Sequence, residues 1–360
     1  MKIEKQHSDW ASAYLKQHPL LISGPCSAES EAQILQMAEL LSTLGIPFMR
    51  AGVWKPRTKP GSFEGIGEPA LEWLRKAKQQ TGIKIAIEVA NAQHVALAKA
   101  YDVDLVWLGA RTTVNPFLVQ EIAEALGKTE QIVLVKNPVN PDLDLWQGAI
   151  ERLYAQGVSA LGAIHRGFSS YRKTKFRNPP QWQIPIDLKA RFPELILLCD
   201  PSHICGNRSG IAGVSQTAMD LKFDGLMIES HPQPDVALSD AQQQITPQAL
   251  AELLNGLHIR QIDFNEQRLS QNIKVLRREI ASLDSRIIEL LSERMKLAEE
   301  IGKIKNEANV AILQQEIWIN TLDKMQHEGE IGGLSPDFIE AFFKAIHQES
   351  IAHQQKMFDR

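Results

Sequence analysis

The chain has 360 residues, a formal net charge of −4 and only three cysteines. That length exceeds what one ordinary core holds, so we expect a main domain with an appended module. The basic residues form no long runs and no apolar stretch reaches the roughly 18 residues of a membrane span, which argues against nucleic-acid-binding and membrane proteins. Because the N-terminus carries no apolar signal segment, we predict a cytoplasmic protein with reduced thiols.

Between Leu20 and His258, short runs rich in Ile, Val and Leu alternate with helix-like stretches. Near-continuous apolar strands are typical of a parallel sheet that is buried on both faces. Eight such runs predict a closed (β/α)8 TIM barrel over residues 1–258. The runs are LLISGPCSA, IPFMRAG, KIAIEVA, LVWLGA, IVLVKNP, ALGAIHRG, LILLCDPSH and GLMIESHP.

The sequence after the barrel is helical. From Asn272 to Asn306, apolar residues recur at three-to-four spacing with no proline, which predicts one long amphipathic helix. A second helical stretch covers Ile312 to His327, and Ser335-Pro336 gives the start signal of a third helix. We expect a linker over 259–270 and an all-α domain over 271–360. Three helices bury little apolar surface alone, so this domain should form a homodimer, with a higher oligomer left open.

Four residues with the chemistry of metal ligands follow predicted strands: Cys26 in GPCS, His203 in DPSH, Glu229 in IESHP and Asp240 in LSD. The carboxyl ends of barrel strands meet at one face, so these side chains should converge. A thiolate, an imidazole and two carboxylates could hold divalent Mn, Fe, Co or Zn. Taken singly, each has a plainer interpretation, such as a buried cysteine or a solvated loop carboxylate. Together they favour a metal site.

A second group of residues at the same predicted face is cationic. Convergent Arg and Lys side chains suit phosphate and carboxylate groups, although ion pairing with nearby Asp and Glu explains some of them equally well. The group predicts two anionic substrates. Its members are Arg50, Lys55, Arg57, Arg111, Lys136 and Arg166.

These motifs resemble those of 3-deoxy-D-arabino-heptulosonate-7-phosphate (DAHP) synthases, in the short-barrel branch of type I. The resemblance rests on GPCS, FMRAG with KPRT, GAR, HRG, DPSH and IESHP, and on the aspartate eleven residues after Glu229. It covers roughly residues 15 to 258. Octulosonate-phosphate synthases usually carry Asn in the loop where this chain has KPRT, so the loop favours the heptulosonate enzyme.

The resemblance implies condensation of phosphoenolpyruvate (PEP) with erythrose 4-phosphate on a divalent ion, with Mn²⁺ first and Fe²⁺, Co²⁺ or Zn²⁺ as alternatives. It implies that Cys26, His203, Glu229 and Asp240 bind the metal. It assigns PEP to Arg50, Lys55, Arg111, Lys136 and Arg166, and erythrose 4-phosphate to Arg57 and Thr58. The acid–base candidates are Lys55, Glu88 and His203.

The helical region resembles the all-helical class of chorismate mutase over residues 270 to 358. The resemblance rests on LRREIASLDSRIIELLSERMKLAEEIGKIK, on Gln314 to Glu316 and on ESIAHQQ. Ile312 and Gln315 stand where many relatives carry Asp and Arg. The resemblance implies that chorismate and prephenate are bound by Arg277, Arg294, Lys305, Glu316, Ser350 and Gln354.

The spacing of the basic residues on the long helix also predicts a dimer. Arg294 and Lys305 are eleven residues apart, about three turns, so they share one helix face. Arg277 lies seventeen residues before Arg294, and it could join the same site only from an antiparallel partner helix.

Our leading interpretation is a bifunctional shikimate-pathway enzyme, with feedback control of the barrel by a product bound at the helical domain. The alternative keeps the barrel enzyme and makes the helical domain a non-catalytic dimerisation and product-sensing module. A coiled-coil adaptor is less favoured, because the long helix contains Gly302 and lacks a strict seven-residue repeat.

Overall fold

The computed structural model of the protein describes residues 9–15, 19–55, 63–171, 173–260 and 267–358. The chain forms two compact units, Met1–Arg260 and Gln261–Arg360. In the first unit, eight parallel strands pair in sequence order and close into a barrel. The second unit is helical in its described part. The predicted TIM barrel followed by a helical region is therefore confirmed.

The barrel strands are β1 (Leu20–Gly24), β2 (Phe48–Arg50), β3 (Lys84–Val89), β4 (Leu105–Leu108), β5 (Ile132–Lys136), β6 (Leu161–His165), β7 (Ile196–Cys199) and β8 (Gly225–Glu229). The barrel helices are α1 (Glu31–Thr43), α2 (Glu68–Thr81), α3 (Ala92–Ala100), α4 (Ala110–Thr113), α5 (Pro116–Leu126), α6 (Leu143–Ala155), α7 (Gln183–Arg191), α8 (Pro201–Cys205), α9 (Ile211–Asp220) and α10 (Pro247–Asn255). Short 3-10 helices occur at Asp9–Ala11, Arg208–Gly210, Pro234–Val236 and Ala241–Gln243.

Several helix starts are fixed by side-chain caps. Ser30, Asn91 and Asp142 each accept a hydrogen bond from a backbone N–H in the first turn of the following helix. Thr246 does the same before α10, where Pro247 occupies the first turn. Such caps satisfy backbone donors that have no partner inside the helix. They therefore set where each chain segment turns from strand to helix.

Side chains alternate strictly between the barrel interior and the helix layer. In β4, Leu105 and Trp107 belong to the interior cluster, whereas Val106 and Leu108 pack with the helices. Because successive strand residues point to opposite faces, each interior series continues two residues further on. At the carboxyl ends of the strands, which we call the barrel mouth, these series reach Arg50, Glu88, Lys136, Arg166, Asp200 and Glu229.

The opposite end of the barrel is closed by the segment before β1. Trp10 donates its indole N–H to the carbonyl of Leu161 at 3.1 Å. The ring of Tyr14 packs on Phe48 with the centroids 5.0 Å apart. An apolar plug of this kind leaves the barrel mouth as the end where polar chemistry can gather.

The helical unit consists of α11 (Gln267–Glu307), α12 (Gln315–Ile331) and α13 (Pro336–Phe358). Helix α11 begins at Gln267, inside the segment 259–270 that the sequence assigns to a linker. The residues Gln, Arg and Leu at its start are good helix formers and no proline follows them. The helix also continues through Gly302, where the sequence suggests an interruption.

Close packing explains why glycine occupies position 302. A Cβ atom there would lie 3.0 Å from Cα of Gln354 on α13, which is tighter than ordinary van der Waals contact. The glycine therefore lets α13 approach α11 closely beside Lys305 and Gln354. This approach holds the two helices together next to the candidate chorismate site.

Candidate functional site

Three of the four predicted metal ligands lie together at the barrel mouth. One ligand atom from each of Cys26, Glu229 and Asp240 lies within 4.8 Å of the others. The Sγ atom of Cys26 is 3.3 Å from Oδ2 of Asp240. His203 joins them from α8, since its Nε2 lies 3.8 Å from Oε1 of Glu229. The structure thus brings together all four residues that the sequence selects.

Asp240 differs from the sequence expectation in its local structure. It does not end a strand, but lies eleven residues after Glu229, just before the 3-10 helix Ala241–Gln243. Its φ of 46° is in the left-handed region, which Asp tolerates better than most residues. Arg177 holds the turned-back carboxylate, with Nη1 3.0 Å from Oδ1. The loop, and not the strand, therefore delivers this carboxylate.

The donor set fits a divalent ion. Among the described residues, the buried Oε1 of Glu229 has an ion-pair contact with Arg50 at 3.0 Å but accepts no well-aligned hydrogen bond, so a lone pair remains for a metal ion. Burial lowers the pKa of His203, which favours the neutral imidazole that metals bind. Burial and the nearby Glu229 raise the pKa of the Cys26 thiol to about 12. A metal binds the thiolate form, so binding would release that proton.

A buried carboxylate that the sequence analysis missed connects the metal ligands to the cations. Asp200 pairs with Lys136 at 2.7 Å and with Nδ1 of His203 at 2.8 Å. Burial alone would raise the pKa of Asp200, but His203 and Lys136 outweigh it and hold the pKa well below its usual range. The signal was present, because Asp200 lies two residues beyond the inward-facing Leu198 and caps α8.

The cations line the same mouth at different depths. Arg50 is almost fully buried and its Nη2 lies 3.0 Å from Oε1 of Glu229. Arg166 donates to Oδ1 of Asn178 at 2.8 Å. Burial, together with Arg177 and Arg111, lowers the pKa of Arg166 to about 10, which shows that these guanidinium groups share one electrostatic environment.

The two remaining cation predictions have separate outcomes. Lys55 is half-buried and its Nζ lies 3.0 Å from Sγ of Cys26, so it points into the metal-ligand cluster. Arg57 lies outside the described residues, as does its neighbour Thr58, which the resemblance also assigns to erythrose 4-phosphate.

Glu88 is one of the predicted acid–base residues, and its carboxylate is held from two sides. Trp107 donates its indole N–H to Oε2 at 3.0 Å. A Cβ atom at position 109 would lie only 2.2 Å from Oε1, so Gly109 is needed to leave space for this carboxylate. Glu88 therefore has a defined orientation at the barrel mouth.

In the helical unit, the residues predicted to bind chorismate come together from α11 and α13. Arg294 donates to Oγ of Ser350, and Lys305 donates to the carbonyl of Ile312 at 2.6 Å. The Oε1 atom of Gln354 is buried and has no hydrogen-bond partner among the described residues. Two basic groups and an unused amide oxygen thus lie in one region.

Two further predicted residues, Glu316 and Arg277, are exposed. Glu316 is exposed in the first turn of α12. Arg277 is exposed on α11, roughly 25 Å along the helix axis from Arg294 at the standard rise per residue. A single chain does not bring Arg277 to Arg294.

The sequence analysis also missed His347 on α13. Its ring stacks on Trp318, with the centroids 4.0 Å apart and the planes 13° from parallel. Burial and the positive charges of Arg294 and Lys305 lower its pKa. His347 precedes Ser350 by three residues, so the two share a helix face, and this spacing is a signal that the sequence offered.

A closed eight-stranded barrel with a thiol, an imidazole, carboxylates and buried cations at its mouth is the architecture of a TIM-barrel enzyme. Residues 14–261 match the family model described as DAHP synthetase I, and the chain belongs to that family. Residues 276–355 match the model described as chorismate mutase type II. Both families are thus present in one chain, the DAHP synthase (transferase) family over the barrel and the chorismate mutase (isomerase) family over the helical region, as the two sequence resemblances predicted.

Individual relatives cover the barrel. The phospho-2-dehydro-3-deoxyheptonate aldolase of Thermotoga maritima is 30% identical over 237 residues, covering 66% of this chain and 68% of that protein. The 2-dehydro-3-deoxyphosphooctonate aldolase of Wolinella succinogenes is 27% identical over 264 residues, covering 66% and 97%.

Solved structures agree with the sequence relatives. The crystal structure of the T. maritima heptonate aldolase (DAHP synthase) aligns with a TM-score of 0.61 and 29% identity, covering 67% of this chain and 68% of that one. A truncated form of 3-deoxy-D-arabino-heptulosonate 7-phosphate synthase from T. maritima aligns with a TM-score of 0.58 and 26% identity, covering 67% of this chain and 85% of that one.

In the described ranges, none of the helices combines the length and the apolar character that crossing a bilayer requires.

Proposed function

We propose that the barrel condenses PEP with erythrose 4-phosphate to give DAHP and phosphate, and that the helical unit rearranges chorismate to prephenate. The observation that carries the barrel assignment is the convergence of the metal-ligand cluster with Arg50 and Lys136 at one mouth. A site of this composition suits an anionic enol and a carbonyl partner that must be polarised.

In this proposal, Cys26, His203, Glu229 and Asp240 hold a divalent ion. Mn²⁺ is our first choice, with Fe²⁺, Co²⁺ or Zn²⁺ as alternatives, because the mixed ligand set does not select strongly among them. A bound ion would act as a Lewis acid toward the aldehyde oxygen of erythrose 4-phosphate.

That the three cysteines are free and buried supports a reduced, cytoplasmic setting.

The cations bind the substrates. Arg50, Lys136 and Arg166, with Lys55 and Arg111, hold the phosphate and carboxylate of PEP, and Arg57 and Thr58 contact erythrose 4-phosphate. Guanidinium groups bind such anions in bidentate fashion, which fixes orientation as well as position. The methylene carbon of PEP is thereby held against the aldehyde carbon, which lowers the entropic cost of reaction.

Bond formation then proceeds in two stages. The methylene carbon of PEP bonds to the aldehyde carbon, and the aldehyde oxygen takes a proton. Lys55 is the candidate source, because a neutral His203 that holds the metal has no proton to give from the bound nitrogen. Water oriented by Glu88 adds at C2 of the former PEP unit, and the proton that the water loses replaces the one given to the aldehyde oxygen. The bond from C2 to the phosphate oxygen breaks and inorganic phosphate leaves. One water is consumed for each DAHP formed.

The mutase reaction is unimolecular and needs no proton transfer. Arg294 and Ser350 bind a carboxylate, Lys305 and Gln354 contact the ether oxygen, and Glu316 contacts the ring hydroxyl. Arg277 comes from the antiparallel α11 of a second copy. Holding the reactive conformer and stabilising charge on the breaking ether bond is sufficient catalysis.

The surface of α11 supports this homodimer. A row of apolar side chains on α11 is about half exposed in the single chain, which suits burial against a second helix. The row includes Leu276, Ile280, Leu283, Ile287 and Leu290.

The barrel is tested by phosphate release from PEP with two aldehydes offered separately, erythrose 4-phosphate and a five-carbon aldose phosphate. The pair is chosen because relatives include octulosonate aldolases as well as heptonate aldolases. We expect turnover with the four-carbon aldehyde. Turnover with the five-carbon aldehyde alone would contradict the assignment.

The helical unit is tested by chorismate consumption in full-length protein, with Arg294→Ala beside Arg286→Ala. Arg286 is exposed on the same helix and serves as the matched control. We expect loss of consumption only in Arg294→Ala. A wild type that consumes no chorismate would support the alternative, a non-catalytic dimerisation and product-sensing module.

We also propose feedback control, in which prephenate bound at the helical unit inhibits condensation. Linkage requires that PEP or metal binding then alters prephenate affinity by the same factor. Condensation kinetics that do not change at saturating prephenate would exclude this control.

A further inference from the structure

Trp107 is a fully buried aromatic residue at the barrel mouth to which the proposed mechanism gives no role. It is the last inward-facing residue of β4 and belongs to the interior cluster. A tryptophan at this depth is ordinarily a packing residue whose indole N–H finds any available acceptor. Its neighbours here are the charged groups of the site.

Two proposed PEP ligands lie over the indole ring. Cζ of Arg50 is 5.1 Å from the ring centroid, and Nζ of Lys136 is 5.6 Å from it. Both distances are within the range of cation–π attraction, which is strongest for tryptophan and for desolvated cations. Both cations are almost fully buried, so this attraction is little screened by solvent.

The indole N–H has a specific acceptor. It donates to Oε2 of Glu88 at 3.0 Å, directly across the β3–β4 pair, where Glu88 and Trp107 are partners in register. Gly109, two residues further along, leaves space for the other carboxylate oxygen. Trp107 thus contacts both proposed anion-binding cations and the carboxylate of Glu88, which we propose orients water.

We propose that Trp107 is a positioning residue for the condensation, whose ring holds Arg50 and Lys136 and whose N–H orients Glu88. This inference rests on the proposed function of the barrel. An aromatic face stabilises the two cations without adding a negative charge that would compete with PEP. The N–H holds the carboxylate of Glu88 in one orientation, with an oxygen left for the incoming water.

Two substitutions test the ring face and the N–H of Trp107 separately. Trp107→Phe keeps an aromatic face and removes the N–H, so we expect kcat to fall about ten-fold with KM for PEP changed less than about three-fold. Trp107→Leu removes the face as well, so KM for PEP should also rise roughly ten-fold.

Trp146→Phe is the matched control. Trp146 is equally buried and donates its indole N–H to the carbonyl of Val135 at 3.1 Å, but it lies on α6 in the helix layer. This variant should lose thermal stability while keeping both kinetic constants. If Trp107→Phe behaves in the same way, Trp107 is only a packing residue and the proposal is wrong.

A double-mutant cycle tests whether Trp107 acts through Glu88. In a Glu88→Gln background, the additional effect of Trp107→Phe on kcat should largely disappear, because the shared contact is already altered. An undiminished effect would overturn the role of the N–H.

Failure of the underlying assignment has a different signature. A wild type that releases no phosphate from PEP and erythrose 4-phosphate overturns the proposed function itself. An active wild type with a Trp107→Phe variant of unchanged kcat overturns only this inference. If Trp107→Leu does not fold, as judged by circular dichroism, Trp107→Phe and the double-mutant cycle still test the positioning role of Trp107.

Discussion

Lys136 and Asp200 form an ion pair of 2.7 Å at the barrel mouth, with both side chains almost fully buried. A buried pair of this kind gains stability only when further hydrogen bonds satisfy its members. Here the same carboxylate accepts a hydrogen bond from the backbone N–H of His203 at 3.1 Å and lies 2.8 Å from Nδ1 of that residue. Asp200 therefore connects a proposed PEP ligand to a proposed metal ligand, with two separately measurable consequences.

Asp200→Asn should weaken both sites. A carboxylate behind a metal-binding histidine fixes its ring orientation, and losing it typically lowers metal affinity by about 10- to 100-fold. Loss of the charge also leaves Lys136 without its buried partner, so KM for PEP should rise. Calorimetric titration with Mn²⁺ and steady-state kinetics measure the two effects.

Asp224→Asn is the control for that variant. Asp224 accepts from Lys189 at 2.9 Å and from the backbone N–H of Leu197 at 2.8 Å, at the opposite end of the barrel strands. It should reduce stability without changing metal affinity or KM. Equal metal affinity in both variants would show that Asp200 does not orient His203.

Removing the metal should separate the two activities. Dialysis of the full-length protein against a chelator should abolish condensation, because the proposed cluster of Cys26, His203, Glu229 and Asp240 loses its ion. Chorismate consumption should remain unchanged, since that reaction depends on hydrogen bonds and positive charge. Addition of Mn²⁺ should restore phosphate release. Condensation that persists after verified metal removal would rule out the metal-dependent mechanism.

Gly302→Ala should impair the mutase selectively. The new Cβ would lie 3.0 Å from Cα of Gln354, so α11 and α13 must move apart by a few tenths of an ångström. Alanine improves helix propensity by up to about 1 kcal/mol, so the fold should tolerate the change while kcat/KM for chorismate falls.

Gly213→Ala in α9 is the matched helical control. No atom lies within 4 Å of a Cβ built there, so the propensity gain should appear as increased stability, with both activities unchanged. A Gly302→Ala variant with normal chorismate kinetics would show that the contact with Gln354 does not constrain the site.

The barrel should lose stability in mild acid through His165. This fully buried imidazole lies among aromatic rings, including Trp182 and Phe223, with centroid distances of 5.3 Å and 6.0 Å. Burial and the nearby Arg166 lower the pKa of His165 to about 3, although Asp200 opposes the shift. Between pH 6.5 and that value, the unfolded chain binds a proton that the folded chain does not, so stability falls as the pH falls.

His165→Phe should remove this contribution. From pH 7 to pH 5, wild type should lose about 2 kcal/mol more unfolding free energy than the variant. Urea unfolding followed by tryptophan fluorescence reports mainly on the barrel, since Trp318 alone among the tryptophans belongs to the helical unit. Parallel pH profiles for the two proteins would contradict the neutral, buried state of His165.

The sequence by itself determined the two folds and the chemistry of the barrel mouth. Near-continuous apolar runs specify the buried strands and three-to-four spacing specifies the helices. The period of two along each strand then fixes which side chains point inward, because side-chain direction follows from backbone geometry. The same periodicity carries inward-facing positions to Arg50, Lys136 and Glu229 at the strand ends. It also points to Asp200, which lies two residues beyond the inward-facing Leu198.

Only the tertiary structure decided which charged side chains form ion pairs and which loops fold back to the barrel mouth. Asp240 reaches Cys26 through a left-handed turn, and Trp107 meets Glu88 through strand register. The start of α11 at Gln267 could not be predicted either, because the segment there lacks apolar periodicity. Such contacts depend on packing between residues far apart in the chain, whereas sequence periodicity records only the direction in which each side chain points.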